Sequence, residues 1–204
     1  MAVVGSGIMA ERLAGGNVAL ALLVNSIATG AALIALILTF ASVSGAHFNP
    51  VVTLAGAIRG GIAWHEVPAY LTAQFGGAFT GVASAHVMFG LPIFFSSHRA
   101  RGGNALLWSE FIATFGLLAV IWGCEHNRFA GSFAVGAYIT AAYWFTASTA
   151  FANPAVTLAR AASDTFAGIR LSDTPGFMGA QIVGAVAGTL CFRWLTPPRG
   201  KGSI

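Results

Sequence analysis

Asn49 and Asn153 each stand before a proline, and each opens a nearly identical heptapeptide, Asn49 to Ala55 (N-P-V-V-T-L-A) against Asn153 to Ala159 (N-P-A-V-T-L-A). Proline at the first position of a helix gives up no hydrogen bond, because its missing N–H has no intrahelical partner there. Asparagine just before it is a strong N-cap. Both motifs therefore start helices, with Pro50, Val51, Pro154 and Ala155 in the first turns. Capping uses the asparagine carbonyl oxygen and leaves the side-chain amide as a donor directed outward. Two such amides, together with the positive ends of two helix dipoles, make a site that repels cations and orients the oxygen of a neutral molecule. A helix over 49–58 rises about 15 Å, roughly half of a ~30 Å hydrocarbon core. It reaches the middle of a membrane without crossing.

The rest of the chain must supply that membrane setting. The sequence is 56% hydrophobic and 8% charged, far below the roughly 25% charge of a soluble domain. It carries no charge from Asn17 to Gly45, Val67 to Ala85, Phe111 to Cys124 or Phe129 to Ala159, and each run approaches or exceeds the ~20 residues of a membrane helix. The fold class is an all-α integral membrane protein in contact with lipid. A net charge of +4, modest and scattered, argues for no nucleic-acid partner. Cys124 and Cys191 sit at or in apolar spans and read as packing material.

The chain is an internal duplication. The segment Pro68 to Gln74, with Gly77, Ala78 and Gly81, aligns with Pro175 to Gln181, with Gly184, Ala185 and Gly188. One domain, 1–204, thus divides into halves of about 1–95 and 96–204. Each half holds three spans and a re-entrant half-helix, about 49–58 and 153–162. Spans are expected near 1–12, 25–41, 67–90, 105–123, 131–149 and 175–195. Three crossings per half give the repeats inverted topology, so the half-helices meet near the midplane. The pairs Gly77/Gly81 and Gly184/Gly188 permit close helix contact. Charge bias does not decide orientation. Arg59, Arg128, Arg193, Arg199 and Lys201 fall on the side of the Asn49 loop, and Arg12, Arg99, Arg101, Arg160 and Arg170 fall on the other.

With its two Asn-Pro motifs in duplicated halves and the run Ser44-Gly45-Ala46-His47-Phe48-Asn49-Pro50, the sequence resembles the aquaporin and aquaglyceroporin family (major intrinsic proteins). The resemblance covers essentially the whole chain. It implies six spans plus two half-helices, a pore in every protomer and a homotetramer. Asn49 and Asn153 then act as the central pore donors. Counting from the motifs, it places the selectivity filter at Thr29, Ala141, Ala150 and Val156; a register shift of one residue would exchange Ala150 for Phe151. The family's second motif continues with arginine where this chain has Val156. Four small residues with one hydroxyl imply a wide, arginine-free opening. Arg160, four residues beyond Val156, either faces the mouth or pairs with Asp164 at the same spacing.

His47 falls in the inner vestibule by the same resemblance. Glu110, in Ser109 to Gly116, matches a family glutamate that accepts hydrogen bonds from a re-entrant loop, a structural role suited to a buried carboxylate. The first span reads as truncated, because its own counterpart of Glu110 would precede Met1. The run Asn153 to Arg160 without a filter arginine resembles a bacterial subgroup associated with arsenic resistance, which implies a bacterial inner (plasma) membrane and passage of neutral arsenite alongside glycerol and water. The remaining histidines lack metal-ligand spacing, Trp108 and Trp194 fit an interfacial belt, and the sequence holds no catalytic constellation and calls for no cofactor. Two rivals to a passive channel stand: an inverted-repeat secondary transporter, and an inactive truncated homologue.

Overall fold

A computed structural model describes residues 1–196. Helices follow in the order α1 (Ala2–Leu13), α2 (Val18–Ser44), α3 (Pro50–Ile58), α4 (Val67–Met88), α5 (Asn104–Gly123), α6 (Arg128–Phe145), α7 (Pro154–Arg160) and, after a 3-10 turn at Leu171–Asp173, α8 (Thr174–Leu195). By length and composition α2, α5 and the run Leu171–Leu195 are each apolar enough to cross a membrane. α1, α3 and α7, at 12, 9 and 7 residues, are shorter than the ~20 residues of a crossing helix, and α4 and α6 carry glycine and hydroxyl side chains that lower their hydropathy.

Repeat symmetry shows in the packing. α5 lies along α8 and α2 crosses α6, while α3 touches both α4 and α8, and α7 touches both α8 and α4. Each half-helix is therefore shared between the closing helices of the two halves, as inverted repeats require. The α2/α6 crossing is made by glycine. A Cβ on Gly30 would collide with the Thr140 side chain and lie 2.7 Å from the Gly136 carbonyl oxygen. On α8, Gly184 and Gly188 set their Cα atoms against α5, where an added Cβ would fall 2.5 Å from the Phe111 carbonyl and 2.9 Å from that of Phe115. Among the described residues of this chain, a Cβ on Gly77 would meet nothing within 4 Å, so the ladder of the first half is not closed there from within the protomer.

Several boundaries differ from the sequence expectation. α2 begins at Val18, seven residues before the expected start, because the Asn17 side chain caps it by accepting from the Leu20 N–H at 3.0 Å. Asn127 does the same for α6 through the Ala130 N–H. α6 ends at Phe145 and not at 149, since residues 146–149 turn into the re-entrant loop and Thr149 has φ of 62°. α7 stops at Arg160, two residues short of the expected end. Arg199 and Lys201, assigned to the Asn49 side, lie outside the described residues. The other end of the molecule gathers Arg12, Arg99, Arg101 and Arg170 around the loop after α7: Arg12 donates to the Phe89 carbonyl, Arg99 pairs with Glu11 at 2.7 Å and Arg170 with Asp173 at 2.9 Å. Arg59 pairs with Glu125 at 2.7 Å, its guanidinium 4.5 Å from the Trp122 ring centroid.

Candidate functional site

The two Asn-Pro helix starts meet. Asn49 Oδ1 accepts from the Val51 N–H at 3.1 Å, and Asn153 Oδ1 accepts from the Ala155 and Val156 N–H groups at 3.1 and 3.2 Å. Each asparagine thus caps its own half-helix. The amide, expected to point freely outward, instead reaches across: Asn49 Nδ2 donates to the Ala152 carbonyl at 2.7 Å and Asn153 Nδ2 to the Phe48 carbonyl at 2.9 Å. Both accepting carbonyls belong to residues in the left-handed region, Phe48 at φ of 48° and Ala152 at 46°, a conformation that costs non-glycine residues about 1–2 kcal/mol. That local strain swings the carbonyl out of its own loop and toward the opposite asparagine. One of the two N–H bonds on each amide is consumed by this exchange. The other has no protein acceptor among the described residues.

Matched hydroxyl and amide side chains brace the two starts. Thr53 and Thr157 each donate back to the asparagine carbonyl, at 3.3 and 2.8 Å, and each accepts from the matching glutamine, Gln74 Nε2 at 2.8 Å and Gln181 Nε2 at 2.9 Å. Sequence reasoning aligned the glutamines and assigned them no role. The usable signal was a polar side chain recurring at one register inside an apolar span, where an unpaired amide is costly. His47 is half-buried, with Nδ1 3.1 Å from Thr53 Oγ1 and its ring 5.4 Å from that of Tyr70. Glu110 is fully buried. Its oxygens accept from the Phe151 and Ala152 N–H groups, both at 2.9 Å, and from Gln181 Nε2 at 2.6 Å.

The four positions expected to form a filter occupy different settings. Thr29 is buried, its hydroxyl 3.4 Å from Tyr143 Oη, a neighbour that motif counting missed. Ala150 is buried in the central apolar cluster with Tyr143 and Ala152. Val156 is partly exposed, and Ala141 lies on the exposed face of α6. Arg160 does not pair with Asp164. It is buried, Nε donates to the Ala167 carbonyl, and its guanidinium carbon stands 3.3 Å from the Phe151 ring centroid. Asp164 is taken instead by His98, which offers its backbone N–H at 2.9 Å and Nδ1 at 3.1 Å. Those two bonds hold its carboxyl below the usual carboxylate range.

Comparison with known proteins agrees with this fold. Residues 1–132 match the major intrinsic protein family. Aquaglyceroporin AqpS of Rhizobium meliloti is 52% identical over 97% of this chain and 84% of its own length. Aquaporin NIP1-3 of Oryza sativa subsp. japonica is 34% identical over 80% of this chain, which spans 58% of that longer protein. The X-ray structure of the aquaglyceroporin from Plasmodium falciparum superposes with a TM-score of 0.71 at 22% identity, covering 97% of this chain and 91% of that one, and so shares its fold. With paired Asn-Pro half-helices whose capping asparagines each donate to the loop of the other, this multi-pass membrane chain belongs to the major intrinsic protein family.

Proposed function

We propose that the chain is a passive channel for small uncharged solutes, carrying glycerol-like polyols, neutral metalloid hydroxides such as arsenite, and water, as a homotetramer in a bacterial inner membrane. The observation that carries this reading is the crossed pair Asn49 to Ala152 and Asn153 to Phe48. It fixes both amides at one level of the fold and leaves each a single N–H to offer. A neutral hydroxyl or water oxygen accepts such a donor, while a cation brings none of the lone pairs that the donor seeks and meets two positive helix ends as well. Selection among neutral solutes falls to Thr29, Ala141, Ala150 and Val156. With valine where a guanidinium would narrow the path, that filter admits molecules wider than water.

Val156→Arg tests the assignment. A planar charged fork placed there narrows the constriction and adds donors. In reconstituted vesicles examined by stopped-flow light scattering, glycerol and arsenous acid permeability is expected to fall more than water permeability, with tetramer recovery checked on the same sample. An unchanged ratio in a correctly assembled variant would place Val156 away from the constriction. The resemblance to AqpS, an aquaglyceroporin, supports the polyol reading over strict water selectivity.

A further inference from the structure

The loss of arginine at Val156 does not leave the region around the second re-entrant loop uncharged. Arg160 follows on the same face of α7, one turn further out, its guanidinium carbon 3.3 Å from the Phe151 ring centroid. Arg101 arrives from an unrelated element, the connection between α4 and α5, and its guanidinium carbon lies 5.1 Å from the centroid of the same ring. Backbone carbonyls hold it there: Nε donates to Gly168 at 2.8 Å, Nη2 to Phe166 at 3.4 Å and Nη1 to Ser148 at 3.5 Å. These carbonyls come from both flanks of the Asn153 half-helix, so Arg101 ties the loop before it to the loop after it.

Neither guanidinium has a carboxylate within 4 Å among the described residues, since the four carboxylates engaged in ion pairs there belong to Glu11, Glu125, Asp164 and Asp173 and take Arg99, Arg59, His98 and Arg170. Glu110 accepts from the backbone N–H of Phe151, whose ring both guanidiniums approach, and its oxygens already hold three N–H donors. Two positive charges against one leave a net positive potential, sited where low-dielectric walls weaken screening.

We propose that Arg101 and Arg160, gathered on the Phe151 ring, supply the cation barrier at the mouth beside the Asn153 half-helix. The path through the filter is then free of a fork while the approach to it stays positive. Width and charge selection are separated: small side chains set the solute size, and the two arginines set the sign. This rests on the reading of the chain as a neutral-solute channel, and the test separates the two.

Urea and guanidinium are planar probes of nearly equal size that differ in charge. Uptake of each into vesicles holding the full chain gives a guanidinium-to-urea permeability ratio that channel width alone does not move. Wild type is expected to pass urea and to exclude guanidinium. Arg101→Gln is expected to raise the ratio about five- to tenfold, the scale of one unit charge at a partly screened site, and Arg160→Gln to raise it further. Arg101→Lys, which keeps the charge and loses the fork, is expected to hold the ratio near wild type. Should Arg160→Gln fail to assemble, Arg101→Gln and Arg101→Lys decide the matter alone, because Arg101 lies outside the helices. A ratio unchanged in assembled Arg101→Gln, or raised equally by lysine and glutamine, overturns the barrier. Absence of urea, glycerol and water flux above protein-free vesicles overturns the channel reading itself.

Discussion

The two re-entrant loops begin from the same residues and are anchored by different physics. Ahead of Asn153, the Phe151 and Ala152 N–H groups are held by the Glu110 carboxylate, which also binds Gln181. Ahead of Asn49, the bonds are neutral: His47 and Gln74 converge on Thr53, and Tyr70 Oη donates to the Ser44 carbonyl at 3.0 Å. The asparagine caps, the left-handed residues and the crossed amides are nonetheless matched on the two sides. Central geometry is therefore set by the Asn-Pro helix starts and their strained carbonyls, whereas the strength with which each loop is held depends on the helix behind it. Hydrogen bonds to a buried carboxylate contribute roughly twice as much as neutral ones, so the Asn153 loop is the stiffer of the two.

Replacing the carboxylate breaks this asymmetry most severely. Glu110→Gln keeps the shape, but one end of the amide then presents N–H groups to a backbone N–H or to Gln181, leaving buried donors unsatisfied. A loss of about 3 kcal/mol or more is expected, read as a collapse of folded yield and of the thermal midpoint in detergent. Next is the helix pair that carries Glu110 and Gln181 to the loop. Gly184→Ala puts a Cβ 2.5 Å from the Phe111 carbonyl and should cost about 1–3 kcal/mol by prying α8 from α5; urea or heat denaturation followed by tryptophan fluorescence reports it.

The neutral side gives a smaller and more telling effect. Thr53→Val removes the hydroxyl shared by His47 and Gln74 and is expected to cost about 1–2 kcal/mol. Thr157→Val should cost less, because Gln181 keeps its 2.6 Å bond to Glu110. Equal losses in the two variants would show that the carboxylate does not stiffen its loop. The smallest effect is at the rim. Asp164 is held below its ordinary value of 3.8 by His98, so its contribution is fully present above that pH and fades as pH falls through the lower, folded value. His98→Ala removes the side-chain bond and keeps the backbone N–H donor, so it is expected to weaken this acid limb only in part, a change seen in the thermal midpoint against pH.

The arrangement at the centre was legible because it depends on local chemistry. Asn-Pro dictates a capped helix start, the repeat dictates inversion, and uncharged runs dictate burial in lipid. What escaped the sequence was long-range. Nothing near Asn49 says that its amide will donate to Ala152, 103 residues away, because the accepting carbonyl is exposed only by a left-handed backbone two loops must share. The i,i+4 spacing of Arg160 and Asp164 suited an ion pair, yet His98 from another loop offers Asp164 two donors at once, and Arg160 is drawn under the loop by Phe151. Arg101 was counted only as a charge on one side, since no local pattern shows which carbonyls a loop arginine will find. Asn17 and Asn127 were readable caps that apolar periodicity alone passed over.

The central claim is passive conduction past the crossed asparagines. Its most direct test is glycerol flux into reconstituted vesicles, measured as initial rate against the imposed gradient with and without proton and sodium gradients. Passive conduction gives a rate linear in the glycerol gradient, unaffected by either ion gradient and reduced when Asn49 and Asn153 are both replaced by aspartate in assembled protein. Saturable uptake driven by protons or sodium would contradict it and mark the inverted repeat as a transporter.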